Sequence, residues 1–385
     1  MSGHQNFLVE AIAFAGIAER NPSLYRRLRV ALGDPAAWFQ IGDAKVAIVR
    51  DIERERVGQY ALADRVHCPA DFAPPEGLDA DRETAVAQAL AQAIKSSGAT
   101  HTRVDRTFPM IYAHFLTEAG VQVRYDAELG VRDRRVKSDE EIEWLAKAQS
   151  VTEAVMEELC GTIARSRAAS DGVLHDNDFP LTSERVRTMA HEAFIQRGFS
   201  MSHGAIVATI PQVADCHHSG VGPLKTEQAI IIDLFPRDDT TRYWGDCTRT
   251  VVHGHPNDQV IKMHTAVRDA KHAATEKLVA GQTGDAVHRA AVERLIAMGF
   301  ASSRGEITEE ASIQHGTGHG IGLELHEPIL LDEGGSELLA GEVFTVEPGL
   351  YGRKVGGVRV EDMLVVGPGP PRNLNRLHEG LDWRT

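Results

Sequence analysis

The chain has 385 residues, of which 42% are hydrophobic, and its formal net charge is −14. This length is sufficient for two hydrophobic cores, and the composition is that of a globular protein. The negative charge excludes nucleic acid and anionic membranes as expected partners, because both bind basic surfaces. Four scattered cysteines without a CxxC motif predict neither a disulfide framework nor a zinc knuckle. We expect a reduced, cytoplasmic setting, since no secretory signal and no apolar run of membrane-spanning length is recognisable.

A boundary between two domains is predicted at residue 137. Upstream, strand-like and helical stretches alternate as in a small α/β domain, and we expect this part to be a scaffold. Downstream, the sequence SDEE at 138–141 is a capping box that opens a helix to about residue 165. The predicted domains are therefore residues 1–136 and residues 137–385. The upstream stretches are 45–50, 82–95 and 121–125.

The second domain contains an internal repeat. Residues 184–199 resemble residues 285–300, and four pairs of apolar or glycine positions are in register. Each copy is followed by a hairpin-like segment that carries two acidic residues. This pattern predicts an α+β domain in which a pseudo-two-fold axis relates two halves of a curved antiparallel sheet, with helices on its outer face.

The first acidic hairpin is predicted around Asp233 and Asp246. Asp233 ends the apolar run 229–232, and Asp246 precedes the β-prone run 248–252. Residues 237–241 have turn chemistry, and their centre lies close to the midpoint between the two aspartates. The spacing therefore predicts that Asp233 lies opposite Asp246.

The second acidic hairpin repeats this construction with Glu347 and Glu361. Residues 352–356 begin and end with glycine and are centred between the two glutamates. Like charges that face each other across two strands are about 5 Å apart and need compensation. Ordinary pairing with Arg249 or Arg359 would compensate one pair, whereas four carboxylates together match the charge of two divalent ions.

A histidine-rich segment lies between the two hairpins. Residues 315–326 contain His315, His319 and His326 together with four glycines. This glycine content is unfavourable for a helix and typical of a tight loop that enters a strand. Neutral histidine is a metal ligand and a proton donor near neutral pH. The segment therefore supplies candidate ligands and candidate catalytic groups.

The hairpins and the histidine segment together resemble the motif set of the pita-bread metallopeptidases, the family of methionine aminopeptidase, aminopeptidase P and Xaa-Pro dipeptidase. The resemblance covers about residues 137 to 385 and implies a pita-bread catalytic domain, preceded by a smaller α/β domain like that of creatinase. It is strongest in IIIDLFP at 230–236, GDCTRT at 245–250, the histidine segment, VEPGLY at 346–351 and VRVED at 358–362.

The resemblance implies a complete set of metal ligands. Asp233 would bind one divalent ion, His319 and Glu347 would bind a second, and Asp246 and Glu361 would bridge both. Manganese is the expected metal, and cobalt and zinc are alternatives because the same ligand types accept them.

The resemblance also implies roles for residues around the metals. His326 would donate a hydrogen bond to the tetrahedral intermediate, and Glu347 would handle the proton of the attacking water. His315 would line the substrate pocket. His217 would lie at the end of the pocket near the scissile bond, although the adjacent His218 is an alternative.

The activity expected from this resemblance is hydrolysis of Xaa-Pro bonds in short peptides by a homodimeric Xaa-Pro dipeptidase. Arg359, His315 or a residue of a partner subunit is the candidate for binding the free carboxylate of a dipeptide. Xaa-Pro aminopeptidase is the near alternative, because the ligand motifs do not separate the two activities. A lyase that acts on another C–N or C–S bond, or a binding protein without activity, is a further alternative on the same fold.

Overall fold

The computed structural model describes residues 10–384. The chain divides into two compact units after Arg134. The functional boundary proposed at residue 137 stays a prediction.

The first unit is a six-stranded mixed sheet covered by helices. Its strand order is β4-β3-β2-β1-β5-β6, with β1 antiparallel to β2 and parallel to β5. The predicted strands and helix of this small α/β domain are confirmed. Its strands are β1 (Glu10–Ile17), β2 (Pro35–Ile41), β3 (Ala44–Ile48), β4 (Arg65–His67), β5 (His101–Val104) and β6 (Gln122–Tyr125). Its helices are α1 (Pro22–Leu28), α2 (Arg54–Tyr60), α3 (Arg82–Ser96), α4 (Met110–Glu118) and the short α5 (Arg132–Arg135), at which the two units divide.

The second unit opens with the long helix α6 (Asp139–Arg165). Its predicted capping box is present, because the Ser138 side chain accepts from the Glu141 backbone N–H and the Glu141 carboxylate accepts from the Ser138 backbone N–H. Apolar residues recur on one face of α6 and pack into a core with α7 (Ser183–Gln196). The capping box thus fixes where this core begins.

The remaining elements of the second unit form small, mostly antiparallel sheets rather than one uninterrupted sheet. The central ones have the strand orders β11-β12-β14, β15-β16-β20-β21 and β18-β17-β19-β22-β23. The remaining helices are α8 (Asp258–Lys277) and α9 (Gly284–Ala297). The strands are β7 (Arg167–Ala168), β8 (Leu174–Asp176), β9 (Phe179–Pro180), β10 (Phe199–Ser200), β11 (Ala205–Ala208), β12 (Ala229–Leu234), β13 (Arg237–Asp238), β14 (Cys247–Val252), β15 (Ala301–Ser302), β16 (Ser312–Ile313), β17 (Gly318–Gly320), β18 (Glu327–Leu331), β19 (Val343–Val346), β20 (Gly349–Gly352), β21 (Gly356–Arg359), β22 (Asp362–Val365) and β23 (Arg372–Asn373).

The internal repeat predicted from the sequence is present in the helices. α7 and α9 each have 14 residues and are N-capped by threonines, Thr182 and Thr283, at equivalent positions. α6 and α7 enclose one core with β12 and β14, whereas α8 and α9 enclose another with β19 and β21. The two halves therefore have the same plan, with a helix pair behind an acidic hairpin.

The first acidic hairpin differs from its predicted register by two residues. Asp233 pairs with Thr248 and not with Asp246. The Asp238 carboxylate accepts from the backbone N–H groups of residues 240 and 241, and Arg242 has a left-handed φ of 69°, so the turn lies further along the chain than predicted. A shift of two residues keeps both aspartates on the same face, where they are diagonal neighbours.

The second acidic hairpin has the predicted register. Gly352 pairs with Gly356 at the turn, and Val346 pairs with Asp362 further along the same two strands. Glu347 and Glu361 lie between these paired regions, where the two strands pass from one sheet to the next. The two hairpins meet where the Glu361 backbone N–H donates to the Thr248 carbonyl oxygen at 3.1 Å.

Within residues 10–384, no helix is both long enough and apolar enough to cross a membrane.

Candidate metal centre

The five residues predicted as metal ligands lie around one pocket of the second unit. Ligand atoms of Asp246, His319 and Glu361 all lie within 4.8 Å of one another. The Nε2 atom of His319 is 3.6 Å from Asp246 Oδ2 and 3.6 Å from Glu347 Oε1. Asp233 borders the same pocket from β12. The structure thus brings both hairpins and the histidine segment together.

A close approach of two strands positions His319. The residue before it is Gly318, and a Cβ atom added there would lie 2.0 Å from the carbonyl oxygen of Thr345 on β19. Only glycine therefore allows β17 to lie so close to β19. The backbone N–H of His319 donates to Thr345 Oγ1 at 3.1 Å, which fixes the histidine against the strand that leads to Glu347.

The hydrogen bonds of His319 leave its Nε2 atom available as a ligand. Nδ1 lies 3.1 Å from the carbonyl oxygen of Gly320, which can only accept, so Nδ1 carries the proton. Burial, followed by the neighbouring His326, lowers the pKa of His319 to about 3. The ring is therefore neutral at physiological pH, with an unprotonated Nε2 directed at the carboxylates.

The carboxylate ligands are held by neighbouring side chains. Thr248 Oγ1 donates to Glu361 Oε2 at 2.8 Å. Gln149 of α6 forms two hydrogen bonds with the backbone of Asp246, one from its amide to the carbonyl oxygen and one from the Asp246 N–H to its Oε1. Such outer contacts orient the groups that bind a metal.

The four carboxylates can carry more negative charge than the neighbouring cationic side chains neutralise. Burial and then mutual repulsion raise the pKa values of Asp246 and Glu361 well above the ordinary range. Burial raises the pKa of Glu347 to about 7, although Arg359 opposes this shift. The cluster as it stands therefore retains protons that a cation would replace.

Ordinary ion pairing compensates only one of these carboxylates closely. Arg359 donates to Asp233 Oδ2 at 2.6 Å. Arg249, the other candidate for such pairing, contacts Asp362 instead. The second oxygen of Asp233, Oδ1, is buried and has no hydrogen-bond partner among the described residues. Surplus carboxylates, an unpartnered buried oxygen and a neutral imidazole are the donor set expected for hard or borderline divalent ions.

Arg249 connects this cluster to the C-terminal segment. Its side chain is completely buried and donates to the backbone carbonyl oxygen of Glu361 and to Asp362 Oδ1. The same guanidinium donates to the carbonyl oxygens of Leu377 and His378 at 3.1 and 3.0 Å. Arg249 thus links the backbone at Glu361 to the backbone at Leu377 and His378 through hydrogen bonds.

The pocket beside the carboxylates has a volume of about 580 Å³. Its walls include the proposed ligands and mixed polar and apolar side chains. His326 lies beside His319, with 4.3 Å between ring centroids. The pocket is large enough for a short peptide, and its other lining residues include His203, Ile206, Cys216, His217, Phe235, His315, Leu325, Leu330, Asp332 and Arg359.

A model of metallopeptidase family M24 matches residues 143–368. The chain belongs to this family. The predicted resemblance and the assignment to the metallo-exopeptidases are thereby confirmed. Among curated M24 relatives, the chain is 28% identical to the probable dipeptidase PepE of Mycobacterium tuberculosis over 279 residues, which are 72% of this chain and 68% of PepE. For the first curated relatives the match spans 60% to 68% of their length.

Solved structures agree with the fold of an M24 enzyme. The Xaa-Pro dipeptidase from Bacillus anthracis superposes with a TM-score of 0.78 at 21% identity and covers 97% of this chain and 94% of its own. The X-Pro aminopeptidase from Thermotoga maritima superposes with a TM-score of 0.77 at 20% identity and covers 97% of both chains. The predicted fold class is thus confirmed over both units.

Two of the residues predicted to bind substrate in this M24 enzyme are heavily engaged within the protein. The ring of His315 contacts the Gly316 carbonyl oxygen through Nδ1 and Tyr351 Oη through Nε2, both at 2.7 Å. Arg359 is 3% exposed and donates to Thr248, Tyr351 and the Cys216 carbonyl oxygen besides Asp233. Both residues border the pocket, but much of their hydrogen-bonding capacity orders its wall.

The structure places His217 and His218 in different surroundings. His217 is exposed and lines the pocket. His218 Nδ1 instead accepts from the backbone N–H of Gly220 at 2.9 Å and so stabilises its own loop. His217, which the sequence favours over His218, therefore lies on the pocket wall.

Sequence reasoning missed Tyr351, Thr248 and His203 as site residues. Tyr351 follows Glu347 by four positions, so strand alternation could have indicated that both face the same side. Thr248 could have been found only with the correct register of the first hairpin. His203 lies in the short segment before β11, where no motif marks it.

Proposed function

We propose that this M24 enzyme is a dinuclear-metal-dependent Xaa-Pro dipeptidase that acts on short proline-containing peptides. The observation that carries the proposal is the buried cluster of four carboxylates and one neutral imidazole at the wall of a peptide-sized pocket. The names of similar proteins support the substrate class, since they include Xaa-Pro dipeptidases and prolidases. We assign catalysis to residues 137–385.

The proposed ligand set is the one that the family resemblance implies, and the proximity of these residues around one pocket supports it. Asp246 and Glu361, both buried, would help to hold both ions. Asp233 would bind one ion through its unpartnered Oδ1, and His319 and Glu347 would bind the other. Manganese is the proposed metal, and cobalt or zinc would fit the same donors.

The ions would supply a hydroxide nucleophile at neutral pH and polarise the peptide carbonyl. Glu347 is the proposed group that accepts and returns the proton of the attacking water. Burial raises the pKa of Glu347 to about 7 in the metal-free protein, and a bound cation would lower it and keep the carboxylate ionised as a proton acceptor.

His326 is the proposed donor to the oxyanion. It lies beside His319, so its ring reaches the same side of the pocket as the proposed ligands. Burial lowers its pKa, so the ring is neutral at physiological pH and has one N–H to donate. Donation to the developing negative charge stabilises the transition state more than the ground state.

His217 is the proposed contact at the end of the pocket near the scissile bond. Arg359 and His315 are the proposed contacts for the free carboxylate of a dipeptide. Because both already hold the pocket wall, we expect them to act by presenting the donors that remain and by keeping positive charge near the substrate. A homodimer and a cytoplasmic setting stay predictions.

Xaa-Pro aminopeptidase is the second candidate. The T. maritima X-Pro aminopeptidase and the B. anthracis Xaa-Pro dipeptidase superpose with nearly equal TM-scores. Structural similarity therefore does not favour either activity over the other. The ligand set is the same for both activities, so the discrimination depends on the length of peptide that the pocket accepts.

The test is hydrolysis of Ala-Pro, Ala-Pro-amide, Ala-Pro-Ala and Ala-Ala by the metal-stripped protein, with and without added Mn²⁺. Metal-dependent cleavage of Ala-Pro alone is the expected result. Cleavage of Ala-Pro-Ala together with the amide would assign the enzyme to the aminopeptidases. Absence of cleavage with Mn²⁺, Co²⁺ and Zn²⁺ would refute both proposals and favour another reaction on the same fold.

A further inference from the structure

A buried ion pair lies next to the segment that carries His326. Lys137 Nζ donates to Glu327 Oε2 at 2.8 Å, and the two side chains are only 3% and 5% exposed. Burial of two charges costs several kcal/mol of desolvation, so such a pair is often no more stabilising than apolar residues of the same size. A contribution to stability alone is therefore a weak explanation for it.

The pair packs directly against residues 321–326. Glu327 Oε1 accepts from the Leu323 backbone N–H at 3.3 Å. A Cβ atom added at Gly322 would lie 2.7 Å from Glu327 Oε1 and 3.1 Å from Lys137 Cε. The carboxylate and the ammonium group thus form the support on which this loop lies.

Glu327 also fixes both ends of the loop. It follows His326 in the chain, and its backbone pairs with Gly320, which follows His319. Within residues 10–384, the ring of His326 makes no hydrogen bond, and it packs edge-on against the ring of His319. The orientation of His326 therefore depends on the backbone of the loop and not on a partner of its own.

We propose that Lys137 and Glu327 are positioning residues for His326. This inference rests on the proposed function, since it takes His326 as the oxyanion donor. Lys137 holds the Glu327 carboxylate, which in turn holds the loop backbone and the start of β18. Lys137 and Glu327 are not among the described residues that line the pocket, so neither would contact substrate.

Small displacements of His326 would be costly for turnover. A misplacement of about 1 Å by a change remote from the chemistry can reduce the rate by about a hundredfold. We therefore expect Lys137→Met to lower kcat by a factor of about 10 to 100, with KM changed less than about threefold. The ligand carboxylates belong to other strands, and His319 is anchored separately through its backbone N–H to Thr345, so we expect Mn²⁺ affinity to change little.

A second ion pair, formed by the half-buried Arg135 two residues before Lys137, provides the matched control. Arg135 is paired with Glu342, and their side chains are 13% and 2% exposed. Arg135→Met removes a comparable pair without touching residues 321–326. We expect this variant to lose thermal stability as Lys137→Met does, while its kcat on Ala-Pro stays within about twofold of the wild type.

The experiment measures kcat, KM, Mn²⁺ affinity by calorimetry and the unfolding midpoint for both variants and for Lys137→Arg, which keeps the charge. The expected result is a selective loss of kcat in Lys137→Met and partial recovery in Lys137→Arg. Equal loss of kcat in both methionine variants, or wild-type kcat in Lys137→Met, would overturn the proposal. If Lys137→Met does not fold, the double variant Lys137→Met/Glu327→Leu is measured instead, because it replaces both charged groups with apolar ones.

A readout that is independent of hydrolysis separates this inference from the proposed function. The ¹H–¹³C signal of the His326 ring, assigned by its absence in His326→Gln, is recorded in each variant loaded with diamagnetic Zn²⁺, because paramagnetic Mn²⁺ would broaden it beyond detection. We expect it to shift or broaden in Lys137→Met and to stay unchanged in Arg135→Met. If the wild type cleaves no Xaa-Pro peptide, the proposed function fails, but the shift still decides whether the ion pair positions this ring. An unchanged signal in Lys137→Met would overturn the positioning role.

Discussion

The two acidic hairpins provide the same number of carboxylates but differ in how their charge is compensated. Asp233 in the first hairpin contacts the guanidinium of Arg359 at 2.6 Å. Asp246, the other acid of the first hairpin, and both acids of the second, Glu347 and Glu361, have raised pKa values. One internal cation thus satisfies one carboxylate closely, and the rest of the cluster depends on ions from solution.

The hairpins also differ in what determines their register. A turn with glycine at both ends sets the second hairpin, and its pairing continues unchanged to Asp362. A polar turn set by the Asp238 side chain and a left-handed Arg242 determines the first. Both bring their acids to one face, since a register change of two residues preserves the side on which each side chain lies.

Removing one acid from each hairpin tests whether the metal site needs both hairpins. We expect Asp246→Asn and Glu361→Gln each to lose bound Mn²⁺ and to lower turnover by a factor on the order of a thousand or more, because the nucleophile depends on the ions. Metal content by mass spectrometry of the dialysed proteins and kcat on Ala-Pro are the measurements. Full metal content in either variant would mean that one hairpin suffices.

A change outside both hairpins should separate catalysis from metal binding. We expect His326→Ala to lower kcat by about a hundredfold or more, the usual effect of removing an oxyanion donor, while two Mn²⁺ ions per chain remain. Parallel measurement of kcat and metal content tests this expectation. A variant that loses metal together with activity would assign His326 to the ligand set.

The contact between the hairpins can be weakened without removing a carboxylate. Thr248 of the first hairpin donates to Glu361 of the second. We expect Thr248→Val to weaken Mn²⁺ binding by about 10- to 100-fold, as is typical for loss of an outer-shell hydrogen bond. Calorimetric titration measures the effect, with Thr188→Val on the exposed face of α7 as the control. Equal affinities in the two variants would show that this hydrogen bond does not matter for the site.

The raised pKa values of Asp246, Glu347 and Glu361 should appear as a pH dependence of stability. In the folded, metal-free protein these pKa values lie above those of the unfolded chain, so each group contributes stability that is lost as pH rises through its folded pKa. The buried histidines have lowered pKa values and oppose this trend only below pH 7, because they are neutral in both states above it.

We therefore expect the unfolding free energy of the chelator-treated protein to fall between pH 7 and pH 8.5 by roughly 1 kcal/mol per pH unit for each carboxyl that retains its proton. Urea titrations at several pH values measure this slope. Glu361→Gln should have a smaller slope, and saturating Mn²⁺ should abolish it, since metal replaces the protons. A flat profile in the metal-free wild type would contradict the raised pKa values.

The sequence predicted most of the fold because its signals were local. The Ser138 capping box, the repeat between α7 and α9 and the glycine turn of the second hairpin are each specified by a few adjacent residues. The proximity of Asp233, Asp246, His319 and Glu347 followed from the family motifs and not from spacing alone. The roles of the ligands themselves stay predictions.

The features that the sequence did not predict depend on weak local signals or on partners far away in the chain. The register of the first hairpin depends on a side-chain cap and a left-handed arginine, neither of which has a strong composition signal. The link from Lys137 to Glu327 joins residues 190 positions apart. The engagement of Arg359 with Tyr351 and Cys216 could not be deduced either, because it requires the packed positions of three separate segments.

The contacts of Arg249 make the proposed metal centre dependent on a segment that lies beyond the last proposed ligand in the chain. Its guanidinium holds the backbone of Glu361 on one side and the carbonyl oxygens of Leu377 and His378 on the other. A nascent chain that has been translated only as far as Glu361 already contains every proposed ligand, but Arg249 still lacks these acceptors. The support of the proposed metal centre is therefore complete only when the segment around residue 378 is in place, so this segment belongs to the scaffold of the centre although it contains none of the proposed ligands.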